Sequence, residues 1–244
     1  MRMVVEYDGT NYNGWQRQRQ GTSVQAVIEE SLEKMLGTPI AVRGAGRTDA
    51  GVHAEGQVVA FDLGDAFDGV PPSGFRRGLN AHLPNDVAIV SVEQAPHEFS
   101  PRWAARGKIY RYLIWNHETR SPLHARNAWH VVVPLDTHKL RAAASLFVGE
   151  HDFSGFRAAD CERRTTRRVL HRVDVSRSGA LIAIEVEGTA FLKNMVRIIV
   201  GTIVDLTRGQ LTEEIVLDVL QNGDRRKAGV TAPAHGLTLV RVLF

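Results

Sequence analysis

The chain of 244 residues contains one cysteine, Cys161, so no disulfide can form within it, and a cysteine-rich zinc site or iron-sulfur cluster is excluded. Cys161 reads as an inert thiol. No apolar run approaches the ~20 residues of a membrane-spanning helix. The opening Met1-Arg2-Met3-Val4-Val5-Glu6-Tyr7-Asp8 meets charge too early for a secretory signal, which points to the cytoplasm and to no membrane partner. The ten histidines include no H-E-x-x-H or comparable pair at ligand spacing, so no metal is expected. No G-x-S-x-G elbow supports a serine hydrolase.

What is present describes a folded protein. Hydrophobic residues at 43% and charged residues at 23% exclude disorder, collagen-like repeats and long coiled coils. The formal net charge of +3 is too small to name a partner, but it is unevenly placed. From Arg102 to Arg126, six basic residues including Arg102 and Arg106 face only Glu118, a net of +5. From Arg157 to Arg177, seven arginines including Arg163, Arg164, Arg167 and Arg168 face three carboxylates, a net of +4. The remainder is therefore −6. Arginine forks suit phosphate oxygens, so a polyanion is a natural partner. Charge alone leaves open the alternative of two solvated faces.

Hydrophobic periodicity and turn residues give the order of elements. A strand at Met3 to Tyr7 ends at Asp8-Gly9, and Thr22 to Gln25 reads as a capping box before a helix that Gly37 and Pro39 stop. Strands at Ile40 to Arg43 and Gln57 to Leu63 flank a glycine-rich loop, followed by a helix at Ser73 to Leu83 and a strand at Val87 to Val92. This is the β-α-β-β-α-β order of a ferredoxin-like unit. A looser version follows, with strands at Ile109 to Trp115, Trp129 to Val133, Val169 to Ser176, Leu181 to Glu187 and Leu237 to Leu243. Its helices are expected at Leu140 to Val148, Phe191 to Leu206 and Leu211 to Leu220. The expected fold is α+β: two ferredoxin-like halves, residues 1–99 and 100–244, around a central, mainly antiparallel sheet with a cleft between them.

The densest chemical signal is Gly44-Ala45-Gly46-Arg47-Thr48-Asp49-Ala50-Gly51-Val52-His53. Three glycines permit backbone shapes closed to other residues and let a ligand approach the main chain. Asp49 occupies the place of the third glycine in a dinucleotide fingerprint, and the Gly-Lys-Ser/Thr ending of a phosphate loop is missing. Spacing alone leaves Asp49 either a carboxylate held in a cleft or a turn residue with Arg47 as its surface neighbour.

This loop resembles the signature of the tRNA pseudouridine synthase A family, whose R-T-D-A-G-V-H core stands intact at Arg47 to His53. Further matches occur at Tyr7-Asp8-Gly9-Thr10, Gly14-Trp15-Gln16, Asn80 with Leu83-Pro84, Tyr110-Arg111-Tyr112 and His151-Asp152-Phe153-Ser154. Others are Phe191-Leu192, Met195-Val196-Arg197, Gly201, Thr231-Ala232-Pro233 and Gly236-Leu237. The chain departs from the family pattern at Lys193-Asn194, where aromatic residues or histidine are frequent, and at Thr238, where an aromatic is frequent.

The resemblance implies an isomerase that converts uridine to pseudouridine in the anticodon stem-loop of tRNA, without cofactor or metal, as a homodimer. It makes Asp49 the catalytic carboxylate, Arg197 its charge partner, Tyr110 the residue stacking on the target base and Arg47 the grip on a flanking phosphate. Arg102, Arg106, Arg163, Arg164, Arg167 and Arg168 become the expected tRNA-facing surface. The alternative, a non-catalytic RNA-binding ferredoxin-like module, calls for an RNP1-type segment that the sequence lacks. A metal-independent glycosidase would need a second carboxylate, and none lies nearer to Asp49 in the loop than Glu55.

Overall fold

In the computed structural model, which describes residues 1–63, 69–96 and 98–244, burial of every second residue sets the first strand. Met3, Val5 and Tyr7 of β1 (Arg2–Tyr7) are buried between more exposed neighbours. Helix α1 (Val24–Leu36) is capped by Ser23, whose side chain accepts from the Ala26 amide at 3.2 Å. The cap therefore lies one residue beyond Thr22, because Gln25 turns its side-chain amide to Glu29 and the Val42 carbonyl instead of closing a box.

The chain divides into two units, residues 1–106 with 239–244, and residues 107–238. In the first, β2 (Val42–Gly44), β3 (His53–Phe61), helix α2 (Pro72–His82), β4 (Val87–Glu93) and a short α3 (Pro101–Ala104) follow α1. The strands lie in the order β4-β1-β3-β2, with all three pairings antiparallel, the split order of a ferredoxin-like unit. β3 begins at His53 rather than Gln57, because Ala54 already pairs with Tyr7 of β1. Val24, Ile28 and Leu32 of α1 and Phe75 and Leu79 of α2 form the buried helix faces, and Phe75 meets Phe61 edge to face at 6.0 Å. The closing strand β10 (Leu237–Leu243) pairs with β3, so its residues from Leu239 onward belong with this unit rather than with the second half.

The second unit contains β5 (Gly107–Asn116), β6 (Trp129–Val131), α4 (Thr137–Ser145), β7 (Gly149–Asp152), β8 (Arg167–Ser178), β9 (Leu181–Gly188), α5 (Met195–Thr207) and α6 (Glu213–Asn222). β9 lies between β5 and β8 and is antiparallel to both, so β5-α4-β8-β9-α5 repeats the first five elements of the same motif. β7 was not foreseen; its residues Gly149-Glu150-His151-Asp152 are too polar and too few to show an alternation, yet they pair with Leu170 to Arg167. Helix α4 starts at Thr137, earlier than Leu140, because Asp136 accepts from the His138 and Lys139 amides. The architecture is α+β with mainly antiparallel pairing.

Helix α5 is buried on nearly every side, from Met195 and Val196 through Ile198 to Asp205. It starts at Met195, not Phe191, because Asn194 takes a left-handed backbone with φ of 61° that interrupts the helical run. A Cβ placed on Gly201 would lie 1.8 Å from the Val230 carbonyl oxygen, so the backbone of residues 229 to 232 can pass this close only over glycine. Gly201→Ala should therefore destabilise the protein by about 3 kcal/mol or more. Urea denaturation measures this as a lowered midpoint at unchanged slope, and a midpoint equal to wild type would show that the segment yields without cost.

Candidate active site

The loop between β2 and β3 is held from four directions. At its start, Gly44 pairs with Val59 and the Ala45 amide donates to the Val58 carbonyl at 2.8 Å. The buried Gln57 side-chain amide, just ahead of the apolar run Val58 to Phe61 in β3, donates to the Gly46 carbonyl at 2.9 Å. In the middle, the hydroxyls of Tyr7 and Thr48 are 2.7 Å apart in a buried contact, and the Trp15 amide donates to the Thr48 carbonyl at 3.1 Å. At its end, the Gly51 amide donates to the Tyr12 carbonyl at 3.2 Å, and Nδ1 of His53 accepts from the Gly9 amide at 3.0 Å.

Close passage of the segment before α1 requires glycine at residue 14, where φ is +90° and a Cβ would lie 2.6 Å from the Thr48 carbonyl oxygen. Burial pushes the Tyr7 hydroxyl far above the usual tyrosine range, and its bond to Thr48 opposes that rise only in part. Tyr7 is thus a neutral donor and acceptor at any ordinary pH, suited to locking Thr48 in place. Asp49 follows Thr48 directly, is half-buried, and its carbonyl accepts from the Val52 amide at 3.1 Å. Arg47, on the other side of Thr48, is exposed and donates through Nε to the Gln16 side-chain oxygen at 3.1 Å.

In the second unit, Tyr110 and Tyr112 lie on the same face of β5, opposite Val186 and Ile184 of β9. Tyr112 is fully buried and donates its hydroxyl to the Pro233 carbonyl at 2.8 Å; burial pushes that hydroxyl far above the usual range, and the positive charge of Arg197 pulls it the other way. Tyr110 retains 7% exposure and meets the Phe191 ring edge to face at 5.0 Å.

Arg197, half-buried on the first turn of α5, donates through Nε to the Ala232 carbonyl at 2.7 Å and through an Nη to the Asn194 side-chain oxygen at 2.9 Å. The Ala232 amide returns a bond to the Arg197 carbonyl at 3.1 Å. The same segment is stitched to α5 further along, where Thr202 accepts from the Gly229 amide and Asp205 from the Val230 amide, each at 3.0 Å. Residues 232 and 233 thus serve both Arg197 and Tyr112.

The arginines of the two basic windows differ in their surroundings. Arg102 and Arg106 are in the first unit and exposed, Arg102 lying 5.2 Å from the centre of the Trp103 ring. In the second unit Arg163 and Arg164 are exposed, while Arg167 is paired with Glu150 at 2.9 Å. Arg168 is partly buried and donates to the Arg167 carbonyl at 2.6 Å; burial, and after it the charge of Arg163, pulls its guanidinium below the ordinary value. Sequence reasoning missed Gln57 and Asn194. The signal for Gln57 was a single amide ahead of the run Val58-Val59-Ala60-Phe61, where a polar side chain is out of place unless it has a task. Among the described residues no group of three or more His, Cys, Asp or Glu is placed to hold a metal ion, and no helix is long and apolar enough to cross a membrane.

The family model described as tRNA pseudouridine synthase matches residues 3–103 and 143–244. Proteins called tRNA pseudouridine synthase A from Geotalea uraniireducens and Pelobacter propionicus are each 48% identical to this chain over 244 residues, covering 100% of it and 99% of their own length. The protein of that name from Geobacter sulfurreducens is 46% identical at the same coverage. Among solved structures, the crystal structure of a Cbf5-Nop10-Gar1 complex includes a chain that aligns with 85% of this one and 54% of itself at 14% identity and a TM-score of 0.38, too slight a likeness to argue from.

If the Tyr7 and Thr48 hydroxyls act as one unit, Tyr7→Phe and Thr48→Val should each cost about 1 kcal/mol, and the double variant should lose clearly less than the sum. Urea unfolding of the four proteins measures the coupling. Strictly additive losses would show that the two hydroxyls are satisfied independently.

Proposed function

Because the chain belongs to the tRNA pseudouridine synthase family, we propose that it isomerises uridine to pseudouridine in the anticodon stem-loop of tRNAs, with Asp49 as the catalytic carboxylate. It works in the cytoplasm as a homodimer. The observation that carries the assignment is the bracing of Arg47 to His53: a half-buried carboxylate is presented from a loop tied at Gly46, Thr48, Gly51 and His53.

The reaction breaks the bond between N1 of the base and C1′ of the ribose, turns the base, and joins C5 to C1′. C5 loses its proton and N1 gains one, so the change is a balanced isomerisation with no oxidant or reductant. A carboxylate can serve it by transient covalent attack on the ribose or the base, or by taking a ribose proton. By the family pattern Arg197 is the charge partner of the catalytic carboxylate. Tyr110 offers its ring to the extruded base, a contact worth roughly 1 to 3 kcal/mol. Arg47 holds a flanking phosphate while the nucleotide is flipped out of its stack. Arg102, Arg106, Arg163, Arg164, Arg167 and Arg168 contact the tRNA backbone, positioning the stem without reading its bases.

Two measurements test this reading. Asp49→Asn should bind tRNA within about threefold of wild type yet release no tritium from tRNA labelled at uridine C5, since the loss falls on the chemical step. Measurable turnover by the purified variant would remove Asp49 from its role. Replacing Arg163, Arg164, Arg167 and Arg168 with glutamine should flatten the salt dependence of binding between about 50 and 200 mM, because fewer condensed counterions are released. The single-turnover rate at saturating tRNA should hold. An unchanged salt slope would move the RNA path to the other arginines.

A further inference from the structure

We propose that Asn194 is a positioning residue for Arg197, and that its side-chain oxygen, rather than its role in the chain turn, sets the direction of that guanidinium. The proposal rests on the reading of Arg197 as the partner of Asp49. Asparagine directly before a helix ordinarily has an extended backbone and accepts from an amide of its own first turn. Asn194 does neither. Its φ is 61°, and no amide of the first turn of α5 donates to its side chain. Glu98 is the other non-glycine residue with positive φ among the described residues, and such a backbone persists only where its surroundings hold it.

The carbonyl oxygen of the Asn194 side chain instead accepts from an Arg197 Nη at 2.9 Å. Arginine has no acceptor, so the oxygen and not the nitrogen of the amide must face it. The left-handed turn at Asn194 thus leaves its side chain within hydrogen-bond reach of the first turn of α5. With Nε bound to the Ala232 carbonyl at 2.7 Å, the guanidinium has two fixed acceptors on two different segments. A planar fork held at two points has one orientation left, and its remaining N–H groups have a fixed direction.

The turn that presents Asn194 is itself anchored. The Met195 amide donates to the Leu192 carbonyl at 3.1 Å, and the Lys193 carbonyl accepts from the Ala158 amide at 3.0 Å. Lys193 also pairs with Asp160 at 2.5 Å. The backbone shape is therefore maintained by contacts that do not involve the Asn194 amide, so shape and acceptor can be separated by substitution.

Asn194→Gly adopts positive φ without strain and deletes only the acceptor, whereas Asn194→Asp tolerates the same backbone and keeps an acceptor facing Arg197. The Gly variant should unfold at an unchanged or higher urea midpoint and show kcat for tritium release lowered by about tenfold or more, with KM for tRNA within about twofold. The Asp variant should recover most of that loss. Wild-type kcat in the Gly variant, a loss confined to KM, or an Asp variant as impaired as the Gly variant would each overturn the proposal. Arg197→Ala, measured alongside, distinguishes the two levels. An active Arg197→Ala enzyme removes the role of Arg197 itself, while an inactive one beside a fully active Asn194→Gly enzyme removes only the positioning role of Asn194.

Discussion

The buried contact between the Tyr7 and Thr48 hydroxyls, 2.7 Å long, ties the residue preceding Asp49 to the first strand of its sheet. A surface loop rich in glycine loses much conformational freedom when it is fixed. Fixing it takes bonds that water cannot replace, and the Tyr7 hydroxyl supplies one from a position that burial keeps protonated. Of the other ties, those at the Thr48 and Tyr12 carbonyls are backbone to backbone and follow the path of the chain, while those at Gly46 and Gly9 need the side chains of Gln57 and His53. The result is a half-buried carboxylate between residues that are held at Thr48 and Gly51.

The second unit solves a similar problem with a helix. Arg197 stands on a helix that is buried nearly all round, and the segment that follows α6 runs along it through Gly229, Val230 and Ala232. That segment also takes the hydroxyl of Tyr112 on Pro233, which joins the strand bearing Tyr110 to the same backbone. Displacing residues 229 to 233 would therefore disturb the helix bearing Arg197 and the strand bearing Tyr110 together. The 1.8 Å that would separate a Gly201 Cβ from the Val230 oxygen shows how little room the arrangement leaves.

Much of this was legible in the sequence where the cause is local. Glycine density between two strands marked the loop of Asp49, and the turn formers Asp8-Gly9 marked the end of β1, because both signals come from neighbours in the chain. Where two residues are equally competent the reading slipped: Thr22 and Ser23 can both cap α1, and only the geometry of Gln25 decides for Ser23. The apolar spacing from Phe191 through Met195 suggested one helix, since asparagine suits a helix start and a left-handed turn alike. The pairing of β10 with β3 joins residues far apart in the chain, and no window of sequence contains that information. The roles of Asp49, Tyr110 and Arg197 came from resemblance, because a carboxylate, a tyrosine and an arginine announce no reaction by spacing alone.

The central claim is that this chain performs uridine isomerisation in tRNA through Asp49. Its most direct test maps pseudouridine at single-nucleotide resolution in tRNA from cells that lack the protein and are then given either the wild-type chain or Asp49→Asn at equal abundance. The account predicts that pseudouridine disappears from the anticodon stem-loop when the protein is absent, returns with the wild-type chain, and stays absent with the Asn variant. Full pseudouridine in the cells lacking the protein, or its return with Asp49→Asn, would contradict the account.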